Sequence, residues 1–175
     1  VKMSATAAQP FKTNLKLSAQ GTPDDFVFNS RINSPNISHF ILSGRNTSEK
    51  LTVLIKPSQL LKGQISGDIA YFWTKPSQYM IQLKAQNVDF SLLNPNWPTI
   101  LEAHINATKT PNKTTININK FNININHKKF SGKGVIGYKN PKNFNFAVNI
   151  QQKKNFLNTT GSYNGSWDLQ WSLSI

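Results

Sequence analysis

The chain has 175 residues, 38% of them hydrophobic and none of them cysteine, with 20 Lys and Arg against 7 Asp and Glu, a formal net charge of +13. This length predicts one domain able to bury a sizeable core. The lack of cysteine excludes disulfides and thiolate metal sites, and no run of 18 apolar residues is present to cross a bilayer as a helix.

Read in order, the chain is a series of alternating runs, each with one apolar face. Thr13, Leu15, Leu17 and Ala19 open it, and Gly21-Thr22-Pro23-Asp24-Asp25 supplies turn chemistry. Phe26, Phe28 and Ile32 resume on even positions until Pro35. Phe40-Ile41-Leu42 is turned by Gly44-Arg45-Asn46. Leu51, Val53 and Ile55 follow, stopped by Pro57, and Ser58 to Gly63 predicts a single helical turn closed by glycine.

Lys62 to Pro98 then holds two clear strand patterns. Ile65, Gly67, Ile69, Tyr71 and Trp73 alternate, Lys75-Pro76-Ser77-Gln78 turns, and Tyr79, Ile81, Leu83 and Ala85 alternate again. Asp89 suits an N-cap and Pro95 forbids continuation, so a short helical turn is predicted there. Leu101, Ala103, Ile105 and Ala107 restart the alternation, and Pro111-Asn112-Lys113 turns it. In Thr114 to Asn126, Ile116 and Ile118 are even while Phe121, Ile123 and Ile125 are odd. The phase slips near Asn119-Lys120, which predicts a bulge. Gly132, Gly134 and Gly137 punctuate the next strand, through Tyr138, before a turn at Asn140-Pro141-Lys142. Phe144, Phe146, Val148 and Ile150 follow. Trp167, Leu169, Trp171, Leu173 and Ile175 come last, after breaks at Gly161 and Gly165.

The prediction is an all-β chain of roughly a dozen antiparallel strands joined by hairpins. The apolar face suits an elongated, curved sheet folded into a U-shaped groove; the alternative is a closed sandwich or barrel packing the same face on itself. Glycine followed by a proline turn recurs loosely at Gly63, Gly132 and Gly161, as a degenerate repeat. Both ends fall within alternating runs, so residues 1–175 read as one segment of a longer protein, without a recognisable signal peptide.

No residues arrange themselves for catalysis. The acids are scattered apart from Asp24-Asp25, which reads as a turn, and His39, His104 and His127 lack metal-ligand spacing. No metal, cofactor or enzymatic activity is expected. The positive charge has two readings: attraction to an anionic partner, or a lysine-rich face that keeps a sticky sheet soluble. Nucleic acid is not the expected partner, because the aromatics share their face with Ile, Leu and Val. Six Asn-x-Ser/Thr sequons, at Asn36, Asn46, Asn106, Asn112, Asn158 and Asn164, follow from the abundance of asparagine.

Several stretches resemble the TamB family, the AsmA-like subunits of the translocation and assembly module. They are Gly63-x-Ile65-x-Gly67-Asp68-x-Ala70, Trp73, Leu83-x-Ala85-x-Asn87-Val88-Asp89 and Leu93-Asn94-Pro95-x-Trp97-Pro98. Phe130-Ser131-Gly132-x-Gly134-Val135 and Gly161-x-x-x-Gly165-x-Trp167-Asp168-Leu169-x-Trp171 extend the likeness to about half the chain. The resemblance implies an inner-membrane-anchored periplasmic protein of Gram-negative bacteria with a β-taco body. It also implies roles in phospholipid transport between the membranes and in outer-membrane protein assembly, with an outer-membrane barrel partner met by other parts of the full protein. The alternative functions are a structural β-scaffold and a chaperone groove for unfolded outer-membrane strands.

The candidate groove residues, for lipid or β-strand binding, are Leu15, Leu17, Phe28, Val53, Ile65, Ile69, Tyr71, Trp73, Ile81, Leu83, Ile105, Ile116, Ile118, Ile123, Ile125, Phe144, Phe146, Val148, Ile150, Trp167, Leu169 and Trp171.

Overall fold

The computed structural model describes residues 14–34, 37–75, 78–96, 98–125, 127–140 and 143–175. Twelve strands follow one another: β1 Asn14–Thr22, β2 Asp25–Ser34, β3 Ile37–Asn46, β4 Lys50–Leu60, β5 Gly63–Phe72, β6 Gln78–Asp89, β7 Thr99–Thr110, β8 Lys113–Ile125, β9 Lys128–Asn140, β10 Asn143–Gln152, β11 Asn155–Tyr163 and β12 Trp167–Ser174. Each pairs antiparallel with its neighbours in sequence, so the order in space is the order in the chain. The result is one curled, unclosed sheet. The closed sandwich or barrel is therefore not the fold. With strands about 4.8 Å apart, β1 and β12 stand about 53 Å apart along the sheet.

Burial agrees with an open architecture. The buried apolar side chains among the described residues are Ile55, Leu61 and Val88. A sandwich of this size would bury both inner faces; here the apolar side chains of the central strands are mostly part-exposed.

Bulges keep the apolar side chains on one face. A strand with one extra residue changes its alternation, and the bulge restores the original face beyond it. In β8 the extra residue lies between Ile118 and Phe121, opposite Gly134 and Gly132, as its phase slip predicts. The same device occurs in β4 between Ile55 and Ser58, and in β6 between Ala85 and Val88. Further extra residues fall in β3, near His39, and in β9, near Lys139. Bulges also bend and twist the strands that carry them, which promotes the curl.

Four local expectations are corrected. Pro57 does not end β4; it sits in the bulge, where no ladder N–H is required of it. Ser58 fills the gap: its Oγ accepts from the Ile41 N–H at 3.0 Å and donates to the Lys56 carbonyl at 2.6 Å. Ser58 to Gly63 makes no helical turn. Strand β4 runs to Leu60, and Leu61-Lys62 closes a two-residue hairpin with φ of 49° and 62°, the type I′ signature. Gly44-Arg45-Asn46 continues β3, and the chain reverses at residues 47–49. Gly161, predicted as a break, lies within β11. The runs at Thr13 and the turn residues Pro35, Pro76, Ser77, Pro141 and Lys142 lie outside the described residues.

A 3-10 turn, Phe90–Leu92, interrupts the meander between β6 and β7 and packs on β7. Asp89 caps it as predicted, its Oδ1 accepting from the Ser91 N–H at 3.0 Å and the Ser91 hydroxyl at 2.5 Å. These hydrogen bonds, with Lys62 nearby, hold the carboxyl below its ordinary 3.8. A depressed folded value means that the cap stabilises the fold above pH 3.8 and that this contribution is lost as pH falls through the lower folded value. Asp89→Ala is expected to lower the thermal midpoint at neutral pH and to flatten its acid limb, measured by circular dichroism melts across pH.

Among the described residues nothing pairs with the outer edges of β1 and β12. Both edges are apolar on one side: Leu17 is 67% and Trp171 72% exposed. Unpaired edges template further pairing. Sedimentation velocity should show association that grows with concentration and weakens in a Leu17→Lys, Trp171→Lys variant. A strict monomer up to millimolar concentration would contradict this.

Candidate functional site

Partners in an antiparallel ladder carry side chains to the same side, so the register can be followed across all twelve strands. One row runs Ala19, Phe28, Gly44, Val53, Ile69, Ile81, Ala107, Ile116, Ile136, Phe146, Gly161, Leu169, with every member apolar or glycine. A second row beside it joins Leu17 through Leu42, Ile55, Leu83, Ile105, Ile118 and Val148 to Trp171; Ser30 and Thr159 are its polar members. A third contains Leu15, Ile32 and Phe40 on one side of the β3 and β4 bulges, and Ile65, Phe121, Ile150 and Leu157 on the other.

The remaining candidates lie at the two ends of these strands. Tyr71, Tyr79, Tyr138, Phe144, Tyr163 and Trp167 fall in one row, with Lys109 and Thr114 between Tyr79 and Tyr138. Trp73 follows Tyr71 on the same side, their ring centroids 4.8 Å apart, and its indole donates to Asn46 Oδ1 at 2.9 Å. Phe144, Tyr163 and Trp167 form a three-ring cluster with centroids 5.2–5.7 Å apart. Ile123 and Ile125 lie at the opposite end. The fold thus brings all the candidate residues onto one face.

That face is the more enclosed of the two. Its apolar side chains in β2 to β11 are half-buried away from the strand ends. The isolated apolar residues of the other face are more exposed, Leu54 at 48% and Met80 at 44%. Otherwise the other face is largely Lys, Asn, Gln, Ser and Thr, with Arg45 and Asp25 joined in a bidentate pair at 2.8 and 3.0 Å. Their exposure makes that pair a small contribution to stability.

The sequence reading missed the part that glycine plays on the apolar face. Phe28 faces Gly44, Phe121 faces Gly132 and Phe146 faces Gly161. At each glycine a methyl group would meet the phenylalanine ring within 2.7 Å. The ring lies over the neighbouring strand because that strand presents no side chain. Alternation of Phe with Gly across a hairpin is the available signal, but it is visible only once the register is known. Ile136 was missed for a related reason: glycines on both sides dilute its alternation.

The polar face carries hollows of about 400, 420 and 610 Å³. A twisted sheet is saddle-shaped, so each face is concave along one diagonal. The 610 Å³ hollow lies at the end of β7 to β10 that carries Asn124, Lys129 and Lys153.

Among the described residues no group of His, Asp and Glu is placed to hold a metal ion, and no helix is long and apolar enough to cross a membrane. Comparison with protein-family models, with curated proteins and with solved structures found no match.

The glycine–phenylalanine pairs give a direct test. A methyl at Gly132 would overlap the Asn149 carbonyl and sit 2.5 Å from the Phe121 ring, whereas at Gly134 the nearest atoms are at 3.1 and 3.3 Å. Gly132→Ala should therefore destabilise by about 1–3 kcal/mol and Gly134→Ala by clearly less, measured by urea denaturation.

Proposed function

We propose that the apolar face carries the acyl chains of phospholipid, as a segment of a periplasmic protein of the TamB type anchored in the inner membrane. The observation that supports this reading is the continuous apolar row across twelve strands in a sheet with no second layer over it among the described residues. Strands of 8 to 13 residues reach about 27–44 Å, enough for an acyl chain to lie against. An apolar surface of this extent is costly to leave in water and marks an interaction site. The polar opposite face, which carries Lys16, Arg31, Lys84, Lys120 and Lys133, keeps such a sheet in water. No nucleophile, base or metal is required; the work is shelter from water. In such a protein the same surface serves outer-membrane protein assembly by shielding apolar strands.

The exposed edges favour a second reading, a chaperone that captures unfolded outer-membrane strands by pairing them to β1 or β12. Crosslinking separates the two readings, because the first rests on apolar contact with the face and the second on backbone pairing at an edge.

Ile123→Asp and Val148→Asp put a charge on the face at the centre of clean alternating runs. An unpaired charge in a closed core costs several kcal/mol. On an open face it reaches water, so both variants should fold with a modest fall in melting temperature. Photocrosslinking from neighbouring inward positions should capture lipid in the parent and much less in either variant. Loss of fold in both, with no lipid captured by the parent, would mean that the face packs as an ordinary core.

A further inference from the structure

We infer that the polar-face hollow lined by Glu102, Lys129 and Lys153 seats the headgroup of a phospholipid that carries both a phosphate and a primary ammonium, with its chains over the rim on the apolar face. This inference rests on the lipid reading above and adds headgroup selection to it.

The hollow has a volume of about 610 Å³. Its charged lining groups are Lys129, Lys153 and Glu102. Two strands and one turn deliver them. Lys129 stands early in β9, opposite Asn124 of β8, and Glu102 of β7 stands opposite Asn122 of β8. Lys153 lies in the turn after β10 with φ of 55°, and its carbonyl accepts from the Gln151 amide at 2.9 Å. Asn122 donates to Glu102 Oε2 at 2.9 Å and so orients the carboxylate. The hollow thus contains two cations, one oriented anion and the amides of Asn124 and Gln151.

Free anions match this set poorly, because Glu102 repels them. A headgroup of one charge, such as a glycerol phosphate diester, uses the lysines and leaves the carboxylate without a cation. A phosphoethanolamine group uses all three: ammonium donors for the phosphate oxygens, and the carboxylate for the headgroup's own ammonium. A quaternary ammonium has no N–H to donate, so it loses the hydrogen bonds to Glu102. The position also suits a lipid. Asn124 and Lys129 each stand one residue in from the strand ends Ile125 and Lys128. Ile123 and Phe130, whose side chains belong to the apolar face, border the same hollow. A glycerol backbone therefore has only the rim to cross.

The test uses the protein with mixed vesicles of phosphatidylethanolamine, phosphatidylglycerol, phosphatidylcholine and diacylglycerol in equal amounts, and mass spectrometry of the lipid retained after gel filtration. Phosphatidylethanolamine should be enriched about tenfold over phosphatidylcholine, the value of one charge-assisted hydrogen-bonding site. Glu102→Gln should remove that enrichment and raise the share of phosphatidylglycerol. Lys129→Gln with Lys153→Gln should reduce all three phospholipids while diacylglycerol is still retained, which also shows that the apolar face is intact. Lipid retained without headgroup preference, or a preference unchanged by Glu102→Gln, overturns the headgroup seat and leaves the apolar-face reading standing. Retention of no lipid at all by the parent protein overturns the apolar-face reading, and the headgroup seat with it.

Discussion

The constraint on which the whole structure depends is that each strand must return its apolar side chains to the same face as its neighbours. A single uncorrected slip would send the following residues to the polar side. In β8 that would separate Ile116 and Ile118 from Phe121, Ile123 and Ile125. The bulges in β4, β6 and β8 prevent it and bend the sheet at the same time. Continuity of the apolar rows and curvature of the sheet therefore have a common origin.

That arrangement also explains how so little of the chain is deeply buried. Stability here comes from ladder hydrogen bonds and from neighbours on the same face, such as Phe121 against Gly132 and Phe146 against Gly161, more than from a sealed interior. Among the described residues the buried side chains are Ser30 in β2 and Ile55, Ser58, Leu61 and Val88, the last four at or near the β4 and β6 bulges and the Leu61-Lys62 hairpin. The Leu61 carbonyl also accepts from the Asp89 N–H at 3.0 Å, which ties that hairpin to the start of the capped 3-10 turn. This end of β4 to β7 is the nearest thing to a core.

The two faces divide the chemistry. The apolar face offers contact without direction, suited to chains that slide. The polar face holds the oriented groups, Glu102 with Asn122 and Arg45 with Asp25, where selection by charge is possible. The largely aromatic row from Tyr71 to Trp167 marks one margin of the apolar face with rings that tolerate both water and hydrocarbon.

Much of this was legible in the residues alone. Period-two alternation specified strand type, the approximate strand number and the apolar face, because that pattern is a local property of an extended chain. The slip at Asn119-Lys120 and the cap at Asp89 were equally local. The β4 and β6 bulges were not found, although the parity changes from Ile55 to Ser58 and from Ala85 to Val88, since Pro57 looked like a stop and the β6 run after Ala85 is too short to show a new phase. The hairpin at Leu61-Lys62 was missed because neither residue is a usual type I′ choice. Only the tertiary structure decided between an open sheet and a closed one, as the same alternation serves both. Only the register across strands placed glycine beneath phenylalanine and brought Glu102, Lys129 and Lys153 to one hollow, for those residues are distant in sequence and nothing local links them.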